Sequence, residues 1–178
     1  MHGQSPSIIH IATHGFMLNT FDDLRTHQTF LESVYEDRRK ISLMQLSGLL
    51  MAGAYNVWNE GGTVPEDVED GVLTAAEIAR LDLSNTRLMV LSACETGLSM
   101  NTTADDFGLK RALKNAGVET LIMSLWEVPD DATSMLMTFF FNDLTQGVGT
   151  RRALQNAQNA VRRKYPQPSC WAGFVVID

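Results

Sequence analysis

The chain has 178 residues, of which 44% are apolar and 20% are charged. These values are typical of one globular domain with a buried core, and they exclude an intrinsically disordered chain. Fourteen Lys and Arg residues stand against 21 Asp and Glu residues, which gives a formal net charge of −7. Binding to nucleic acid without sequence preference requires a cationic face. The charge therefore argues against direct contact with nucleic acid.

The sequence shows neither an export signal nor a membrane anchor. The N-terminus lacks a basic region followed by an apolar run and a cleavage site. No window has the length and apolar character of a membrane span. The chain has two cysteines, Cys94 and Cys170, so a disulfide framework is not predicted. We therefore expect a reduced, cytoplasmic protein that contacts no membrane.

The first half of the chain contains one well-defined strand and several polar segments. Ser7–Ala12 is apolar and β-branched, which predicts a buried strand that leads into His14. Residues 19–47 are polar and predict a long loop or a partly helical segment. Ser47–Ala54 fits either a strand or a short buried helix. Three glycines and five acidic residues in the segment 59–71 predict a surface loop.

The second half of the chain alternates between strand and helix patterns. Thr74 and Glu77 form a capping box, which predicts the start of a helix. Further strands are predicted at the apolar segments Arg87–Ser92, Glu119–Trp126 and Phe174–Ile177. Helices are predicted between these strands at Asp105–Ala116, Ala132–Leu144 and Thr150–Arg163. The first two of these helices have acidic residues at or just before their start, which suits the helix dipole.

This alternation predicts an α/β fold with a mostly parallel central sheet between two layers of helices. In such sheets, ligands bind beyond the carboxyl ends of the strands. The three central strands end in "THG", "SACETG" and "SLWEVPDD", so the chemically reactive residues fall at one edge of the sheet. A functional site is therefore expected at that edge.

His14 and Cys94 are the two residues at this edge that suit nucleophilic catalysis. A nearby imidazole favours the thiolate, or takes its proton during attack on a carbonyl. Gly15 leaves room for a substrate carbonyl, and the backbone N–H groups of Gly15 and Cys94 could hold the resulting oxyanion. The alternative is structural: a hydrogen-bonded histidine and an inert, small apolar cysteine.

Five stretches resemble the CHAT family in order and spacing, and the resemblance spans nearly the whole chain, from Ile8 to Asp178. They are "HIATHGF", "SGLLMAGAYN", "DGVLTAAEIARLDLSNTRLMVLSACETGLS", "GLKRALKNAGVETLIMSLWEVPDDATS" and "CWAGFVVID". CHAT domains are caspase-like proteins that are grouped with caspases and separases. The resemblance implies a caspase-type three-layer α/β/α sandwich and a cysteine endopeptidase that acts on protein or peptide substrates. It also implies His14 as the catalytic histidine, Cys94 as the nucleophile, and neither a metal nor a cofactor.

"SLWEVPDD" is similar to the segment of separases that carries an acidic residue in the pocket for the substrate's P1 side chain. The matching residue is Asp130, and a carboxylate facing that pocket would select Arg or Lys. The alternative is that Asp130 or Asp131 caps the following helix. Trp126 would either wall the substrate groove or cover the core. Cys170 is expected to be structural, and it is the alternative nucleophile if the assignment of Cys94 fails.

The resemblance also implies that residues 1–178 are a single CHAT domain, and we expect it to be truncated on its N-terminal side. Caspase-like sheets have strands before the one that carries the histidine, whereas here that strand starts near residue 7. A sheet without those strands exposes an edge and an apolar face. We therefore expect either homo-oligomerisation or regulation by an N-terminal region or partner chain, such as TPR-type repeats.

Two other functions compete with a peptidase of this kind. A caspase-like scaffold could retain both motifs without a formed active site and serve as a non-catalytic interaction module. A serine hydrolase of the α/β type is disfavoured, because the chain has no G-x-S-x-G sequence.

Overall fold

The apolar segments of the sequence form strands in the computed structural model, which describes residues 4–18, 44, 46–55, 69–92 and 108–178. The strands in these ranges are β1 (Ile8–Ile11), β2 (His14–Met17), β3 (Ser47–Leu50), β4 (Val72–Thr74), β5 (Leu88–Leu91), β6 (Thr120–Ser124) and β7 (Phe174–Ile177). The α-helices are α1 (Ala75–Ile78), α2 (Leu109–Asn115), α3 (Asp130–Thr145) and α4 (Thr150–Lys164), and a 3-10 turn spans Pro168–Cys170.

Four strands form the main sheet in the order β1-β5-β6-β7. β1, β5 and β6 are parallel, and β7 runs antiparallel to β6. The register places Ile11 beside Leu91, and Leu91 beside Met123. The three parallel strands therefore end at the same edge, as the sequence predicted.

Successive residues of the main sheet face opposite helical layers. Met89, Leu91, Leu121 and Met123 belong to a core cluster that includes residues of α1, α2 and the strand β3. Leu88, Val90 and Ile122 belong to a second cluster with buried residues of α3 and α4. Because side chains alternate between the two faces of a strand, a sheet that is covered on both faces is apolar throughout. The predicted three-layer α/β/α arrangement is confirmed.

A second, smaller sheet carries the histidine. It is antiparallel in the order β2-β3-β4, and the register pairs His14 with Leu50. The segment Ser47–Leu50, which was ambiguous in sequence, is thus a strand. His14 is also the first residue of β2 rather than the end of a strand that runs into a loop. The Thr13 hydroxyl donates to the Leu50 carbonyl, which fixes the short connection between β1 and β2.

The capping box at α1 is confirmed by its hydrogen bonds. The Glu77 backbone N–H donates to the Thr74 hydroxyl at 3.3 Å, and the Thr74 N–H donates to the Glu77 carboxylate at 2.8 Å. The prediction that Asp130 or Asp131 caps α3 is wrong. The N-cap is Pro129, and both aspartates lie in the first turn, where they favour the helix through its dipole.

The predicted start of α2 at Asp105 is also wrong. In the described residues α2 begins at Leu109, its first turn contains no acidic residue, and residues 105–107 are outside the described ranges. The predicted end is confirmed, because Gly117 follows the helix with a φ of +101°. This left-handed conformation suits glycine after the last helical turn.

Several predictions fall outside the described ranges. They concern Cys94 and its motif, the polar segment 19–43, and most of the loop 59–71. Within the described ranges, no helix is long and apolar enough to span a membrane. The same ranges contain no cluster of three His, Cys, Asp or Glu side chains able to hold a metal ion.

Candidate functional site

A cavity of about 600 Å³ lies where β1 and β5 end. Ala12, Thr13 and His14 line it from the segment that follows β1, and Ser92 lines it from the end of β5. The opposite wall is α3. The cavity therefore occupies the edge of the sheet at which the sequence predicted a site.

The wall from α3 is a single face of that helix. The lining residues recur at intervals of three and four residues, and they are Asp130, Thr133, Ser134, Met137, Thr138 and Phe141. Residues with this spacing lie above one another on an α-helix. The wall is acidic and hydroxylated in the first turns of α3 and apolar at Met137 and Phe141. The described lining includes one carboxylate and no Lys or Arg.

His14 reaches this cavity because of its place in the small sheet. It is exposed, and it begins β2 directly after the Thr13 hydroxyl is bound to β3. Gly15 follows within β2 and lies opposite Leu49. The Thr13 bond before His14 and the ladder between β2 and β3 after it therefore hold the backbone on both sides of this residue.

Cys94 lies outside the described residues, but the strand that leads toward it is well defined. β5 ends at Leu91, which is paired with Ile11 of β1. The Ser92 N–H donates to the Ile11 carbonyl at 3.0 Å and extends this pairing by one residue. Along the chain, His14 is three residues after Ile11, and Cys94 is three residues after Leu91.

His10 is a lining residue that sequence reasoning missed. Its Nε2 lies 3.0 Å from the Ser92 Oγ, and its ring centroid lies 5.2 Å from that of Phe141. His10 keeps an exposed surface, and the partial burial of its imidazole lowers its pKa below the usual value, because removal from water disfavours the charged form. The available signal was a polar residue in an otherwise apolar strand, four residues before His14.

The lowered pKa of His10 predicts how stability changes with pH. The unfolded chain, with a histidine pKa of 6.5, binds the proton more tightly than the folded chain does. The free energy of unfolding is therefore expected to fall as the pH drops from about 8, through 6.5, to below the folded pKa. Urea denaturation of the wild type and of His10→Phe at several pH values measures this effect. In acid, the free energy of unfolding should fall more for the wild type than for His10→Phe. A difference in the free energy of unfolding that is constant with pH would contradict the prediction.

The cavity brings together two of the predicted site residues that the structure describes, His14 and Asp130. Asp130 is exposed and is the first residue of α3. Trp126 is not among the described lining residues. Its indole N–H donates to the Ser169 carbonyl at 2.9 Å, and it packs partly buried within the core cluster of α3 and α4.

Cys170 is not among the described residues that line the cavity. It is half-buried in the 3-10 turn, and its backbone N–H donates to the Gln167 carbonyl at 3.0 Å. It packs against the same core cluster as Trp126. These contacts suit the structural role that the sequence favoured for it.

Comparison with known proteins gives one family and two curated relatives. The model of the CHAT domain family matches residues 1–178. Tetratricopeptide repeat protein 28 of Homo sapiens is 33% identical over 112 residues, which are 62% of this chain and 4% of that protein. The Mus musculus protein of the same name is 33% identical over 108 residues, which are 60% of this chain and 4% of that protein. The chain thus matches only a small part of these relatives.

Proposed function

Since this chain belongs to the CHAT domain family, which is caspase-like, we propose that it is a cysteine endopeptidase whose reacting groups are the His14 imidazole and the Cys94 thiol. One observation carries this proposal. His14 lines a cavity at the carboxyl end of β1, and the neighbouring, parallel β5 leads within three residues to Cys94.

The reach of the chain supports a meeting of the two groups. A residue spans at most about 3.6 Å, so three residues carry each Cα no more than about 11 Å from its strand end. The paired strands themselves lie about 4.8 Å apart. Both segments therefore start close together and are short enough to bring an imidazole and a thiol into hydrogen-bond reach.

The proposed reaction has two halves. His14 takes the thiol proton, and the Cys94 sulfur attacks the scissile carbonyl carbon to form a C–S bond. The backbone N–H groups of Gly15 and Cys94 hold the oxyanion of the tetrahedral intermediate. The C–N bond then breaks as His14 gives its proton to the leaving amine. A water molecule, deprotonated by His14, attacks the thioester, and the C–S bond breaks to release the acid.

Asp130 supports a preference for Arg or Lys at the P1 position. Its carboxylate lines the same cavity as His14, and the described lining residues provide no competing cation. Because the side chain is exposed, water screens it, and its contribution is that of a partly solvated ion pair.

We expect Asp130→Ala to lower the ratio of kcat/KM for Arg-P1 over Leu-P1 peptides by about three- to tenfold. The physical reason is the loss of a charge-assisted hydrogen bond to the substrate's cation. Asp131→Ala is the matched control, since Asp131 is the neighbouring exposed acid in the first turn of α3. An Arg-to-Leu ratio that is the same in the wild type and Asp130→Ala would refute this role.

A non-catalytic interaction module is the second candidate function. It is favoured by the name of the two relatives, which describes them as tetratricopeptide repeat proteins. Repeats of this class stack into extended surfaces that bind other proteins. In a peptidase of this family, the same kind of region would supply regulation from the N-terminal side or from a partner chain.

The experiment that separates these functions is a substrate-profiling digest with the full-length protein and its Cys94→Ala variant. Cleavage products that appear with the wild type alone support the peptidase. Equal product patterns from both proteins refute Cys94 as the nucleophile, and the absence of any products favours the interaction module.

A further inference from the structure

The hydrogen bond between His10 and Ser92 joins the two strands just before they lead to the reacting residues. His10 is paired with Val90, and Val90 and Ser92 lie on the same face of the chain because side chains alternate. The bond therefore forms on the face of the sheet that is covered by α3. Ser92 is two residues before Cys94, and His10 is four residues before His14.

We propose that His10 is a positioning residue, whose hydrogen bond to Ser92 fixes the spacing between the segments that carry His14 and Cys94. This inference rests on the proposed function. The backbone bond from Ser92 to Ile11 sets the register, and the side-chain bond prevents the end of β5 from turning away from β1. Such outside support holds reacting groups to within the small tolerance that catalysis requires.

The surroundings of His10 keep this bond in place. The Phe141 ring packs against the imidazole and limits its rotation. The lowered pKa favours the neutral form of the imidazole. A neutral imidazole bonds to a hydroxyl in either tautomer, because Nε2 either accepts the hydroxyl proton or donates its own.

The same geometry raises a competing role for Ser92. A histidine nitrogen that lies 3.0 Å from a serine oxygen is also the arrangement of a base and a nucleophile. The two roles make opposite demands. If Ser92 only positions the strand, a hydroxyl is needed there but Cys94 forms the covalent bond. If Ser92 attacks the substrate, Cys94 is dispensable.

The test compares four variants of the full chain with the wild type: His10→Phe, Ser92→Ala, Ser92→Thr and the double variant His10→Phe/Ser92→Ala. His10→Phe keeps an aromatic ring against Phe141 and removes the hydrogen bond, whereas Ser92→Thr keeps the hydroxyl. Two experiments are done on each protein: steady-state kinetics, which give kcat and KM for a peptide substrate, and alkylation by iodoacetamide, which gives the rate of reaction at Cys94. Cys170 in the same sample is the internal reference for alkylation.

We expect each single loss of the bond to lower kcat by about 10- to 100-fold with KM changed less than about twofold. The double variant should be no worse than the more damaged single variant, because both remove the same interaction. Ser92→Thr should retain most of the activity. The alkylation rate of Cys94 should fall in His10→Phe and Ser92→Ala, while that of Cys170 stays constant.

Two results would overturn the proposal. An unchanged Cys94 alkylation rate in both single variants removes the positioning role, and this measurement needs no turnover. Complete loss of cleavage in Ser92→Ala, together with full cleavage by Cys94→Ala, makes Ser92 the nucleophile. The proposed function fails separately, when Cys94→Ala leaves the digest unchanged. If His10→Phe does not fold, the smaller change Ser92→Ala decides the outcome.

Discussion

Replacing Cys94 by alanine is expected to lower kcat/KM for peptide cleavage by about 10⁴-fold or more. Alanine cannot form the C–S bond, so the reaction loses the covalent path and its leaving-group advantage. Any remaining rate would come from the oxyanion donors and from substrate binding, which survive the substitution. KM should change little. The measurement is steady-state kinetics on a peptide taken from the profiling digest.

Cys170→Ala is the matched control for this substitution. Cys170 is the other cysteine of the chain, and it lies half-buried in the 3-10 turn against the core cluster of α3 and α4. The Cys170→Ala variant should retain at least about half of the wild-type activity, because a small loss of side-chain volume at a partly buried site costs little stability. If Cys170→Ala loses activity and Cys94→Ala retains it, Cys170 is the nucleophile and Cys94 is not.

Gly48→Ala is expected to destabilise the small sheet by about 3 kcal/mol or more. A Cβ at this position would lie 2.3 Å from the Leu73 carbonyl oxygen, 2.8 Å from the Thr74 Cα and 2.9 Å from the Phe16 ring. Two of these atoms belong to the backbone of β4, so no side-chain rotation relieves the overlap. The free energy of unfolding from urea denaturation measures the effect, and peptidase activity should fall with it because β2 carries His14.

Gly149→Ala is the control for the glycine substitution. A Cβ at Gly149 would meet no atom within 4 Å, and the φ of this residue is −63°, which any residue adopts. Its cost should stay below about 1 kcal/mol, the loss that accompanies a poorer helix cap. Equal destabilisation by Gly48→Ala and Gly149→Ala would contradict the steric argument.

The fold class was predictable because it rests on local patterns that repeat along the chain. Apolar, β-branched segments such as Arg87–Ser92 and Phe174–Ile177 became strands, and the capping box at Thr74 opened a helix. The ends of elements were less predictable. α3 begins at Asp130, with Pro129 as its N-cap. The sequence rule for N-caps favours acidic residues and does not consider proline, whose ring fixes φ.

The candidate site divides in the same way. The sequence pointed to His14 by its position after a predicted strand and to Asp130 by the resemblance to separases, and one cavity includes both. The sequence did not indicate His10 as a site residue, because a histidine inside an apolar segment is interpreted as an ordinary residue of the predicted strand. The sequence also suggested that Trp126 either walls the substrate groove or covers the core. In the structure its indole N–H donates to the Ser169 carbonyl, and the ring packs against the core cluster of α3 and α4.

The sequence by itself predicted the four strands of the main sheet, the helices between them, and the family to which the chain belongs. Only the tertiary structure decided that β1 and β5 are neighbours, that His14 begins a strand of a second sheet, and that His10 meets Ser92 across 82 positions. The physical reason is that periodicity and caps act within a few residues. Strand pairing and side-chain contacts depend on which distant segments pack together.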